Sequence, residues 1–169
     1  MRIAVTGPES SGKTTLSLHL AEILNAAWAH EFARTYLTDL KRPYQAEDLV
    51  DIAKGQIAAW QEAANEPVLI CDTEMLVMKV WSEFKFGTVD PFILQQLEQQ
   101  RFDLYLLCKP DIPWEEDPLR EHPEKRNELF EIYHTQLKEM NVTFVVLEGD
   151  MDQRLGKALS VIESLNRPS

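Results

Sequence analysis

The sequence predicts a three-layer α/β fold on a five-stranded parallel sheet. Short, continuously apolar runs alternate with segments of helical periodicity along the whole chain. Runs of that kind are typical of strands buried on both faces, with helices covering each side of the sheet through right-handed crossovers. In addition, the first apolar run leads straight into a glycine-bounded loop and then a helix.

In order, residues 3–6 predict the first strand. Residues 7–14 (GPESSGKT) complete a G-x-x-x-x-G-K-[ST] pattern, followed by a helix with Leu16, Leu20, Ile23, Leu24 and Ala27 on one stripe. A weak strand is expected over 27–30 and a helix over 45–64, where Leu49, Ala53, Ile57 and Trp60 recur on one side. Residues 67–72 predict a buried strand, 75–84 and 92–101 helices, and 103–108 another buried strand. Residues 110–123 form a Pro- and charge-rich loop. A helix over 124–140, a strand over 143–147 and a helix over 151–165 close the chain, the last with Leu155, Leu159 and Ile162 aligned. With no repeat, low-complexity run or linker, residues 1–169 read as one domain.

Composition narrows the class. Seventeen Lys and Arg stand against 28 Asp and Glu, a net charge of −11, with no basic run, which argues against a nucleic-acid partner. No apolar run approaches the roughly 20 residues that span a bilayer, and the N-terminus does not read as a signal peptide. The expectation is a soluble, cytoplasmic protein whose partner is a small molecule; the oligomeric state is not legible. Cys71 and Cys108 have no metal-ligand or disulfide spacing. If their strands flank the first strand, two strand spacings, roughly 10 Å, keep them out of disulfide reach.

The 7–14 pattern carries the chemistry. Gly7 and Gly12 let backbone N–H groups of Glu9, Ser10, Ser11, Thr14 and Thr15 turn toward an anion at a helix N-terminus. Lys13 reaches β- and γ-phosphates, and the Thr14 hydroxyl can take a Mg²⁺ position. The expected ligand is therefore a nucleoside triphosphate with Mg²⁺. Asp72 ends a strand where a Mg²⁺-holding acid belongs, although an Asp before Thr73 also suits a helix cap. Thr73 stands where hydrolytic motors usually place a Glu, and no guanine-reading Asn-Lys-x-Asp motif is present. Ligands gather at the carboxyl ends of parallel strands, which groups the loop with Glu31, Asp72, 109–111 and 148–150.

Residues 110–126 have the composition of a lid. Arg120 and Arg126 suit bidentate binding of phosphoryl oxygens. Trp114, between prolines, either stacks on a planar ring or packs the lid base. Glu31 and Arg34, with Tyr36, lie just past the second strand. They serve either an attacking hydroxyl and its substrate or a surface ion pair. The four histidines lack metal-ligand spacing and read as structural or surface groups. Trp81 shares a stripe with Val77, Val80 and Phe84 and reads as core, as do Trp28 and Trp60.

Taken in order, GPESSGKTTL, EFARTYL, DLVDIAKGQ, CDTEMLVMKVWSEFKFG and DLYLLCKPDIPWEEDPLR resemble the ribosylnicotinamide kinase domain of NadR-type proteins, from Arg2 to about Arg154. The resemblance implies a P-loop kinase fold and ATP-dependent phosphorylation of the 5′-hydroxyl of nicotinamide riboside, giving nicotinamide mononucleotide for NAD salvage. It implies catalytic roles for Lys13, Glu31, Asp72 and Arg120, Glu31 being favoured over Asp72 as base. The acceptor is expected near Glu31, Arg34, Tyr36, Asp72, Trp114 and Asp117, with Trp114 at the nicotinamide end. Arg126 and Asp150 are expected at the nucleotide, where the 148–154 segment borders the adenine. Two departures stand out: the adenylyltransferase domain usually fused to this one has no counterpart, and Pro118 replaces a common lid glycine and stiffens that hinge. A kinase for another nucleoside or metabolite, or a nucleotide sensor without turnover, remain alternatives.

Overall fold

The computed structural model describes residues 1–166. Strands β1 (Arg2–Thr6), β2 (Ala27–Ala29), β3 (Leu69–Asp72), β4 (Leu104–Cys108) and β5 (Phe144–Leu147) form one parallel sheet in the order β2-β3-β1-β4-β5. Helices α1 (Lys13–Leu24), α2 (Phe32–Asp39), α3 (Ala46–Glu62), α4 (Met75–Phe86), α5 (Pro91–Gln99), α6 (Arg126–Glu139) and α7 (Met151–Asn166) surround it. A 3-10 turn, Pro123–Lys125, precedes α6.

Successive residues of a strand point to opposite faces, so both faces of β1 need cover. Ile3 and Val5 pack with Leu16 and Leu20 of α1 and Ala158 and Ile162 of α7. Ala4 packs on the other face, with Leu76 and Val80 of α4 and Tyr133 and Leu137 of α6. A flank formed by α2, α3, α4 and α5 encloses Leu49, Ile52, Met78 and Ile93. Local signals set several helix starts. Asp48 and Gln45 form a reciprocal cap on α3, while Asp90 accepts from the Phe92 N–H at 2.8 Å ahead of Pro91 on α5.

The expected sheet order holds. Cys71 on β3 and Cys108 on β4 lie on either side of β1, both buried and both free. Among the described residues no helix is long and apolar enough to cross a membrane.

Two expectations need correction. Ile23 is 55% exposed, and the buried face of α1 carries Leu16, Ser17, Leu20 and Ala21 instead. That rotation brings Ser17 under Trp28, whose indole donates to its hydroxyl at 3.2 Å. Helix α2 is additional to the predicted elements. Its cap comes from α3: the Gln56 side chain accepts from the Phe32 N–H at 2.9 Å and donates to the His30 carbonyl at 3.1 Å. A cap supplied from 24 residues away leaves no local mark.

Candidate active site

The loop between β1 and α1 wraps an anion-sized cradle at the central strand. Gly7 has φ +132°, and a Cβ there would stand 2.7 Å from the Cys108 carbonyl oxygen, so only glycine lets the loop begin against β4. Gly12, at φ +82°, caps α1. The Ser11 hydroxyl and the Lys13 ammonium both donate to the Pro8 carbonyl, at 2.7 and 2.8 Å, and fold the loop over itself.

Arg154 of α7 supports the loop from behind. Its guanidinium, 1% exposed, donates to the carbonyls of Ser11 (2.7 Å), Lys109 (2.9 Å) and Gly149 (2.9 Å) and pairs with Asp111. One side chain thus fixes the loop to the ends of β4 and β5.

Asp72 sits opposite Val5 in the β3–β1 register. Its side chain is wholly buried, and neither carboxylate oxygen has a hydrogen-bond partner. Burial, with the nearby Glu31 charge, pushes its pKa up to about 6; the Thr14 hydroxyl, close but outside good hydrogen-bond geometry, and the charges of Lys13 and Arg34 oppose that rise. An ionisable carboxyl left unpartnered beside a lysine and a threonine hydroxyl suits a cation. Thr73, next to it, has φ +84° and a buried, unpartnered hydroxyl. A β-branched residue in that region carries strain of about 1–3 kcal/mol.

A cavity of about 370 Å³ opens from the loop. Its polar end is formed by residues 7–15 with Glu31, Arg34 and Arg120, and its apolar end by Val77, Val80, Trp81 and Phe84 of α4 with Leu129 and Tyr133 of α6. The loop over residues 110–122 is clasped onto the cradle. The Ser10 hydroxyl accepts from the Glu115 N–H (3.0 Å) and the Arg120 guanidinium (3.3 Å), and Arg126 donates to the Ser10 carbonyl at 2.9 Å. The Glu9 carboxylate accepts from the Glu121 N–H at 3.1 Å and from the His122 N–H.

Several predicted site residues stand elsewhere. Trp114 does not line the cavity; its ring is faced by the guanidiniums of Arg120 and Arg126, at 6.0 and 5.6 Å, so it packs the lid base. The Tyr36 hydroxyl donates to Asp48 at 2.8 Å, away from the cavity lining. Asp117 pairs with Arg34 at 2.9 Å and accepts from the Leu119 N–H, linking lid to α2. That hydrogen bond to Asp117 raises the Arg34 pKa. Asp150 caps α7 through reciprocal bonds with Gln153, both 2.9 Å.

Trp81, Val77, Val80 and Phe84 pack in or against the core as expected, and the same stripe also forms a cavity wall, which His122 reaches too. The Trp81 indole donates to the Tyr44 hydroxyl at 3.0 Å. The available signal was position: α4 follows the strand that ends in Asp72, so its inward stripe faces the sheet's carboxyl rim. Trp28 and Trp60 pack as expected.

Comparison with known proteins agrees with this architecture. Residues 2–154 match the family model described as AAA domain. The chain is 28% identical over 172 residues to the trifunctional NAD biosynthesis/regulator protein NadR of Salmonella typhimurium and, equally, to that of Escherichia coli. Each alignment covers 96% of this chain and 42% of the relative, so the chain spans less than half the length of these proteins. Among solved structures, NadR protein in complex with NR superposes with TM-score 0.85 at 26% identity, over 99% of this chain and 52% of that one. NadR with NAD and AMP-PNP gives 0.79 at 25% identity, over 99% and 50%. A deoxyadenosine kinase from M. mycoides, 17% identical with TM-score 0.69 over 97% of this chain and all of that one, shares the fold.

Proposed function

The chain belongs to the AAA domain family, and on that premise we propose that it is an ATP-dependent kinase for the 5′-hydroxyl of nicotinamide riboside, yielding nicotinamide mononucleotide. The observation that carries the reading is the cavity, which joins a triphosphate cradle to an aromatic wall in one continuous space. Its likeness to NadR solved with NR and with AMP-PNP supports both ends of that assignment.

In this mechanism the loop N–H groups and Lys13 bind the β- and γ-phosphates. Thr14 and Asp72 would hold Mg²⁺, a reading the two unpartnered Asp72 oxygens support. Bound there, Mg²⁺ supplies neutralisation of charge on the transferring phosphoryl group. Glu31 lines the cavity whereas the Asp72 side chain has no exposed surface and is reserved for the cation, which favours Glu31 as the base. The acceptor oxygen attacks the γ-phosphorus as its proton passes to Glu31, and the bond to the ADP oxygen breaks. Arg120, on the cavity lining, neutralises the phosphoryl oxygens, Arg126 holds Ser10 and the lid behind it through the Ser10 and Ile112 carbonyls, and Arg34 orients the acceptor. Positioning and electrostatics account for most of the acceleration in such transfers.

Purified protein with Mg·ATP should form ADP only when nicotinamide riboside is present, and Lys13→Ala should abolish this with the fold retained. Turnover with another nucleoside but not this one overturns the acceptor assignment. Binding of ATP with no acceptor-dependent ADP from any nucleoside overturns the kinase reading.

A further inference from the structure

Glu74 is buried without any exposed surface two residues beyond Asp72, yet the proposed mechanism gives it no task. Its carboxylate collects three donors from three parts of the fold. The Thr6 hydroxyl donates to one oxygen at 2.9 Å, and the Leu76 N–H, in the first turn of α4, donates to the other at 2.6 Å. The Gln100 amide, just past α5, also donates to that second oxygen, at 2.8 Å. Gln100 is held in turn: its amide oxygen accepts from the Met75 N–H at 3.0 Å, and its nitrogen also reaches the Tyr105 hydroxyl of β4 at 3.1 Å.

The connections made by this carboxylate are specific. Thr6 is the last residue of β1, immediately before Gly7 opens the phosphate loop. On the other side, Thr73 bridges Glu74 to Asp72 with a left-handed backbone that a β-branched residue does not adopt unaided. The Thr73 N–H is held by the Val5 carbonyl at 3.2 Å, and its hydroxyl by nothing. Glu74 therefore closes a short circuit from the root of the loop, through its own carboxylate and backbone, to the Asp72 carboxylate.

We propose that Glu74 is a positioning residue which sets the spacing between the phosphate loop and Asp72, and through it the affinity of the site for the metal that accompanies the nucleotide. The inference rests on the Mg·ATP reading of the site but is independent of which acceptor is used. Groups that orient a ligating carboxylate commonly change metal affinity about 10–100-fold when removed.

Binding of a fluorescent ATP analogue to the full chain, titrated with Mg²⁺ in the absence of acceptor, tests this directly. Glu74→Ala should raise the Mg²⁺ concentration for half-maximal binding about tenfold, while Glu74→Gln, whose amide oxygen keeps the acceptor for Leu76 and Gln100 and whose nitrogen can donate to the Thr6 hydroxyl, should restore most of it. Leu104→Ala, a cavity in the core at the amino end of β4 and on the opposite face of the sheet, controls for general loss of stability and should leave the Mg²⁺ requirement unchanged. If Glu74→Ala does not fold, Thr6→Val, which removes one bond without changing shape, should still raise the requirement severalfold. An unchanged requirement in the folded variant, or an equal rise in Leu104→Ala, overturns the proposal. Wild-type protein that binds no nucleotide at any Mg²⁺ concentration overturns the Mg·ATP reading and this inference with it.

Discussion

Replacing Asp72 by asparagine should remove activity and at the same time stabilise the nucleotide-free protein at alkaline pH. Burial and the Glu31 charge move the Asp72 carboxyl from 3.8 to about 6. A group whose folded pKa lies above its unfolded one favours folding only while it remains protonated. Its contribution is fully present below about pH 3.8 and is lost as the pH rises through about 6. The gap between the two values corresponds to an ionisation penalty of about 3 kcal/mol at pH 8, about half of it present at pH 5 and almost none at pH 3. The side-chain amide in the Asp72→Asn variant is no better partnered than a protonated carboxyl, so the comparison isolates the charge. In a chain of this length, about 3 kcal/mol is roughly 6–12 °C in melting temperature. Thermal unfolding of both proteins at pH 5 and pH 8, without nucleotide, reads the difference. The variant should melt higher at pH 8 by this margin, with the gain about halved at pH 5. Equal melting temperatures at pH 8, or a gain of the same size at both pH values, would refute the claim that this carboxylate is held unpartnered.

Other predictions concern the supports of the site. Arg154→Met leaves three carbonyls without their guanidinium donor, while Asp111 keeps the Gly149 N–H, and should cost about 3 kcal/mol, read as a lower urea midpoint, with weaker ATP binding. Gly55→Ala would put a Cβ 2.1 Å from the Phe32 ring. Because that ring opens α2, the helix carrying Arg34, the variant should raise KM for the acceptor severalfold and leave KM for ATP unchanged. Trp81→Ala removes an aromatic face from the cavity and should raise the acceptor KM about tenfold, given stacking worth about 1 kcal/mol or more, with KM for ATP within twofold in steady-state assays.

Residue chemistry made much of this legible. The spacing of Gly7, Gly12, Lys13 and Thr14 between a strand and a helix specifies a backbone conformation, and the continuously apolar runs specify strands covered on both sides. From those follow the parallel sheet and its carboxyl rim, whereas the strand order is expected only from the resemblance to P-loop kinases. Side-chain partners were less accessible. Tyr36, Asp117 and Trp114 are the right kinds of residue for substrate contact, but Asp48, Arg34 and the two lid arginines engage them, and those pairings span 12 to 83 positions for the first two. Trp81 packs against the core as expected but its cavity face went unseen, because an amphipathic stripe that also lines a cavity has the same periodicity as one lining a core alone. Helix α2 escaped because its N-terminal partner, Gln56, lies on another helix.

The Arg154 contact with Ser11 joins positions 143 residues apart, and it bears on the order in which the molecule can mature. During synthesis the whole sheet precedes α7, so all five strands can be paired while the loop still lacks its rear support. Nucleotide binding is then a late competence, gained when α7 docks, and ligand added during refolding should speed no step before that docking. Cuts within or ahead of α7 should yield a protein with native strand content that binds ATP weakly.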